Sequence, residues 1–195
     1  MKIIKTITLL SLSAAFLIAA PKESKDSQLQ SVVEMGNKSS QLLLKTLGKN
    51  MKMHMKKGGT MDALNFCSEE AYDLTEKVNK QLPKGVRVKR ISSQVRNPSN
   101  ATQDNELAVL NTFKSMQSAN VILPKHLVEQ VNSTTYKYYK PLVIKKKVCL
   151  KCHGVVKDIE LKREIAKRYP LDSAMGYEMG DLRGAIVVTI EKPVK

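Results

Sequence analysis

The sequence predicts an α+β protein whose strands form an antiparallel sheet. Three observations carry that class. The first half of the 195-residue chain repeats apolar residues at three–four spacing, the period of a helix. Beyond it come separated runs rich in Val, Ile, Tyr and Thr at 86–95, 134–144 and 184–190. Long helices precede the strands instead of alternating with them, which is not the order that builds a parallel βαβ sheet.

The chain opens with Lys2 and Lys5, continues in an apolar run from Ile7 to Ala20, and turns charged at Lys22. That is the layout of a secretory signal peptide, residues 1–20, with cleavage near Ala19 or Ala20, although Pro21 makes the second site awkward. The run is short for a bilayer span; the alternative is an uncleaved N-terminal anchor. No cysteine follows it to carry a lipid. Removal leaves roughly 175 residues, 21–195, enough for a single domain with its own core. No second apolar stretch is long enough for a stable membrane span.

Leu29, Val32, Val33, Gly36, Ser40, Leu43, Leu44, Leu47, Met51 and Met55 mark one face of a helix over 24–57. Gly58-Gly59 breaks it. Thr60 is placed to cap a second helix, 60–82, with Asp62 in its first turn. Leu64, Cys67, Ala71, Leu74 and Val78 form its apolar stripe, and Pro83-Lys84-Gly85 ends it. A strand over 86–95 leads to a turn at Asn97-Pro98-Ser99-Asn100. A third helix is expected over 103–116, a strand over 134–144 and another helix over 157–167. A loop dense in Gly, Pro and Asp, 169–183, precedes a closing strand with Ile186, Val188 and Ile190 on one face.

Between strand 134–144 and helix 157–167 stands Cys149-Leu150-Lys151-Cys152-His153. C-x-x-C-H is the attachment signature of haem c. Two thiols two residues apart reach both vinyl groups as thioethers, and the adjoining histidine turns onto the iron as proximal ligand. The competing readings are a thioredoxin-like dithiol, which normally opens a helix after a strand in a cytosolic fold, and half a zinc site. Zinc needs further ligands, for which the rest of the chain offers only Cys67, His54 and His126. Cys67 by itself reads as a small buried hydrophobe, the usual state of a free thiol on an apolar stripe. Met51, His54 and Met55 share a helical face and resemble a soft copper site, but helix packing and surface explain them as well.

The net charge of +15 falls to +13 without Lys2 and Lys5. Nucleic acid is the reflex partner for such a surplus, but aromatics are few, no nucleic-acid motif is present, and an exported protein rarely meets one. The remaining readings are a solvated surface, or steering towards an acidic redox or signalling partner or an anionic membrane face. Lys145, Lys146 and Lys147 put part of the charge beside the cysteine motif.

Arg96-Asn97-Pro98-Ser99-Asn100, followed by Glu106 and Leu110, resembles a segment of the Tll0287-like haem domain family. So do Tyr136-Lys137-Tyr138-Tyr139-Lys140-Pro141-Leu142 before the cysteine motif, and Tyr169 to Tyr177 with Gly180-Asp181-Leu182-Arg183-Gly184 after it. The resemblance covers about 29–190; Thr102-Gln103-Asp104 replaces the family's usual Pro-containing turn. It implies a PAS-like fold, helices packed on an antiparallel sheet, with one covalent haem c, and an exported protein, because haem attachment takes place outside the bacterial cytoplasmic membrane.

The resemblance also implies that Cys67, in its Ala63-x-x-x-Cys67 context, approaches the haem from the side opposite His153 as distal ligand. Rivals for that position are His126, His54, Met51, Met53 and Met55. Arg96, Asn97 and Asn100 either bind the haem propionates or shape a turn; Tyr177 and Arg183 are further pocket candidates. The function implied is a periplasmic monohaem c protein that senses redox state or a diatomic gas through a partner. The alternatives are a periplasmic electron-transfer cytochrome and, lacking a clear distal acid–base pair, a haem enzyme.

Overall fold

The computed structural model describes residues 24–192; the expected signal peptide lies outside the described residues. The described residues form nine regular elements and two tight turns. Helix α1 (Lys25–Asn65) is capped by the Ser24 side chain, which accepts the Ser27 N–H at 3.2 Å. It breaks at Gly58-Gly59, where Gly59 adopts φ 67°, a left-handed conformation that glycine takes without strain. The helix resumes, passes through a π turn (Phe66–Glu70) and continues as α2 (Ala71–Asn79).

Strand β1 (Val86–Ile91) follows, then a 3-10 turn (Pro98–Asn100), α3 (Glu106–Ser118), β2 (Leu127–Gln130) and β3 (Thr135–Val143). The cysteine motif forms α4 (Lys147–His153), and α5 (Ile159–Arg168) and β4 (Leu182–Glu191) complete the chain. The four strands form one antiparallel sheet in the order β1-β4-β3-β2, so the last strand is central. The class is α+β, with helices on both faces of the sheet.

One face packs against α1 and α2. Val88, Tyr136, Tyr138, Ile186, Val188 and Ile190 meet Val32, Leu43 and Val78 there. Burying each large side chain contributes about 1.5–3 kcal/mol. Close approach is possible because α1 presents Gly36, Ser39 and Ser40: a β-carbon on Gly36 would overlap the Tyr138 ring. The other face buries Ile91, Tyr139, Ala185 and Val187 against Leu110 and Phe113 of α3. Glu106, 1% exposed, ties α3 to the sheet: its carboxylate lies 2.9 Å from Lys89 Nζ and 3.6 Å from Lys137 Nζ.

Several expected boundaries move, each for a local reason. Strand β1 stops at Ile91 because the Ser92 hydroxyl turns the chain, donating to Gln94 O at 2.7 Å and Arg183 O at 2.9 Å. Helix α3 begins at Glu106 instead of 103 because the Glu106 carboxylate accepts the Gln103 N–H at 2.8 Å, making the preceding residues its capping turn. The second helix ends at Asn79 and contains the π turn, so its buried positions run Phe66, Ala71, Thr75, Val78; Leu74 and Cys67 are only partly buried. Leu29 is exposed, since the first turns of α1 run past the sheet.

Candidate functional site

The site gathers on α4 and what covers it. Cys149 and Cys152 stand one helical turn apart, both as free thiols and both half-buried. Cys149 leads into a small apolar cluster with Ile144, Ala174 and Tyr177. Cys152 leads into another, with Leu64, Leu161, Ile165 and Tyr169. The helix is a wedge between two apolar patches, with its lysines turned outward: Lys145, Lys146, Lys147 and Lys151 are exposed.

His153 ends α4. Its Nδ1 lies 2.8 Å from the Ala174 carbonyl oxygen. A carbonyl only accepts, so Nδ1 carries the proton and Nε2 keeps its lone pair. This is the arrangement in which a histidine serves as a metal ligand, its other ring nitrogen fixed by a backbone oxygen. Burial first, then the cations Arg183 and Arg96, pull the imidazole pKa down to about 3. The ring is therefore neutral at physiological pH. Tyr177 packs edge-on against it at 6.4 Å, and Arg183 lies 5.3 Å over the Tyr177 ring. Arg183 is anchored from behind by the Ser92 hydroxyl at 2.6 Å and Gln94 O at 3.1 Å.

Arg96 is the clamp of the site. Its Nε and Nη2 donate to Asp172 Oδ2 at 3.1 and 2.9 Å, and Nη2 also donates to Cys152 O at 2.8 Å and Ala174 O at 3.3 Å. One guanidinium thus joins the C-terminal end of α4 to the loop that holds His153. Asn97 and Asn100 are put to work in the turn. Asn97 Oδ1 accepts the Ser99 N–H at 2.9 Å, and the Asn100 backbone closes on Asn97 O and receives the Ser92 N–H.

Cys67 comes to the site from the π turn. The ionisable groups facing its thiol are Arg90, Cys152 and Arg96. Burial pushes its pKa up to about 11, while Arg90 and then Arg96 pull the other way. Of the rivals for the distal position, His54 pairs with Asp62 at 3.1 Å and stacks on Phe66, bracing the two helical segments across the glycine break. His126 stacks on Tyr138 at the far side of α1, while Met53 is exposed. Two methionines that the sequence reading passed over, Met61 and Met175, pack into the cluster beside Cys152. Among the described residues no group of three or more His, Cys, Asp and Glu side chains has the geometry to hold a metal ion, which leaves the zinc reading without a ligand set.

Three participants carried no sequence signal that was used. Arg90 occupies an inward position on β1, in alternation with Val86 and Val88. An inward-facing arginine in an otherwise apolar alternation is the clue that could have found it. Asp172 lies within one of the segments quoted above, but its pairing with Arg96 bridges distant parts of the chain. The Ala174 carbonyl, a backbone group, has no signature in a side-chain sequence.

The sequence matches the family model described as Tll0287-like: Tll0287, over residues 17–191. A solved structure, described as the crystal structure of the cyanobacterial heme-protein Tll0287, is similar to this one with a TM-score of 0.58 and 21% sequence identity. The match covers 88% of this chain and 99% of that one, and at this identity it is a likeness of fold. No curated protein matches the chain.

Proposed function

We propose, because this chain belongs to the Tll0287-like family, that it is an exported monohaem c protein that senses redox state or a diatomic gas and reports through a partner. The observation that carries the reading is that His153, with its Nε2 lone pair left free, directly follows Cys152, and that the Cys67 thiol lies close enough to Cys152 and Arg96 to feel their charge. Cys149 and Cys152 would hold the haem covalently, with His153 and Cys67 as the protein donors to its iron. Bound there, it would supply one-electron chemistry and a seat for a small diatomic ligand.

The chain's own groups fit that role. Ala174 O holds the His153 ring in the ligating tautomer. Arg96 fixes α4 against the 172–174 loop, and its guanidinium is committed to protein acceptors. Arg183 and Arg90 are the cations suited to carboxylates of a bound group. Burial outweighs Arg90 and pushes the Cys67 pKa up to about 11, so the thiol keeps its proton unless a cationic iron beside it favours the thiolate. A donor that binds ferric iron as thiolate and lets go once reprotonated makes a switch.

A second reading, a periplasmic electron-transfer cytochrome, is favoured by the exposed lysine collar around α4. Optical and electron-paramagnetic spectra of the matured holoprotein, taken with and without carbon monoxide, separate the two. The sensor should be low-spin with a thiolate signature when ferric and should bind carbon monoxide when reduced. An iron closed to carbon monoxide in both states would leave the electron carrier. A chain that retains no covalent haem after denaturation would end both.

A further inference from the structure

Between α1 and the outer side of β3 lies a cleft of about 590 Å³. Its volume is in the range of small-molecule sites, roughly 300–1,000 Å³. The topology creates it. Strand β2 pairs with β3 only from Tyr136 to Tyr139, so beyond that point the outer edge of β3 has no strand beside it. The 123–126 segment stands off from that edge, and α1 forms the third wall.

The lining has two parts. The floor is apolar: Val33, Leu123, Pro124, Pro141 and Val143 line the cleft together with the imidazole of His126, which lies stacked on Tyr138 at 5.1 Å and 19°. The rim is cationic, with Lys125, Lys140 and Lys145. Among the described residues none of these three lysines is in an ion pair. The one carboxylate in the lining, Glu34, accepts a hydrogen bond from Gln30. Three like charges brought to one cleft repel one another, and an anion seated among them relieves that repulsion. An apolar lining with a stacked imidazole suits a planar aromatic body.

We infer that this cleft binds a small planar organic anion, an aromatic carboxylate, with its ring against His126 and its carboxylate among Lys125, Lys140 and Lys145. The inference does not depend on the haem reading: of the cleft's residues only Lys145 also belongs to the collar around α4, and the ring seat at His126 stands without it. Neither does it need a phosphate-type nest: the recognition is ring plus charge.

The probes are 1-naphthoate and its uncharged counterpart 1-naphthamide, titrated into the full-length holoprotein and followed by calorimetry and by amide chemical shifts. Naphthoate should bind saturably with Kd below about 1 mM, and naphthamide about tenfold more weakly. The shifts should centre on residues 123–126 and 138–143, with the iron spectrum unchanged. Lys125→Ala with Lys140→Ala should weaken naphthoate about tenfold and leave naphthamide alone, whereas His126→Ala should weaken both. Unsaturable binding, shifts centred elsewhere, a perturbed iron spectrum at the same concentrations, or equal affinity in the lysine double variant would each overturn the assignment. Retention of wild-type melting in these surface variants shows that any loss is not unfolding.

Discussion

A thiol is a poor iron ligand until it loses its proton, and Cys67 holds its proton firmly, with a pKa pushed up to about 11. Arg90 is the foremost group opposing that shift. If Cys67 ligates ferric iron, Cys67→Ser should remove the thiolate signature, open the iron to external ligands and raise the reduction potential, because an anionic donor stabilises the ferric state. Arg90→Leu should leave the haem covalently attached but move the pH at which the thiolate signature appears upward. An unchanged ferric spectrum in Cys67→Ser would shift the distal role to Met61 or Met175, which pack beside Cys152.

His153 gives a second expectation at the same scale, with a definite sign. Its folded pKa, about 3, lies below the ordinary 6.5. In a chain lacking attached haem, Cys149→Ala with Cys152→Ala, the unfolded state takes up a proton near pH 6.5 that the folded state refuses. The stability due to the neutral ring is complete above pH 6.5 and is lost as pH falls towards 3, at about 1.4 kcal/mol per pH unit from this one group. Denaturant unfolding across that window should show the slope, and His153→Gln should remove it. A wild-type-like slope in His153→Gln would assign the acid sensitivity to other groups.

At the scale of elements, α4 is a two-turn helix, too short to stand alone in water. Its position depends on Arg96, which reaches 56 residues along the chain to Cys152 O and 76 residues to Asp172. Arg96 and Asp172 are 8% and 6% exposed at the side chain. Arg96→Met should cost about 3–5 kcal/mol, since it leaves a buried carboxylate without its partner. Arg96→Met with Asp172→Leu should recover much of that loss, which a urea titration of the four chains would measure. The recovery distinguishes a lost charge pair from lost packing.

The same elements show what a sequence discloses. The break at Gly58-Gly59, the strands bearing Tyr138 and Val188, and the cysteine motif were legible because backbone freedom, side-chain alternation and motif spacing are local properties. The π turn at Phe66–Glu70 was not, because no local spacing in that segment departs from the helical period. Four-residue β2 follows Pro124 and carries no alternation strong enough to declare itself. At the site, Cys67, Tyr177 and Arg183 were named and are brought to α4, whereas Arg90 and the Ala174 carbonyl emerge only from pairings across the sheet and loop.

For the whole molecule the question is what a charge of +15 does. Inside the fold, Arg96 is matched with Asp172, and Lys89 and Lys137 with Glu106. Outside, Lys145, Lys146, Lys147 and Lys151 are exposed around α4, the edge from which an electron would leave or a partner would dock. Such a collar raises the encounter rate with anions and does so only while its field reaches beyond the surface, about 8 Å at physiological salt. Oxidation of the reduced holoprotein by ferricyanide should therefore slow steeply as salt rises, and oxidation by a cationic cobalt complex should speed up. Lys145→Ala, Lys146→Ala and Lys147→Ala together should flatten both dependences without changing the spectrum of the iron. If both oxidants react at rates indifferent to salt, the charge serves solubility alone, and an acidic docking partner loses its physical basis.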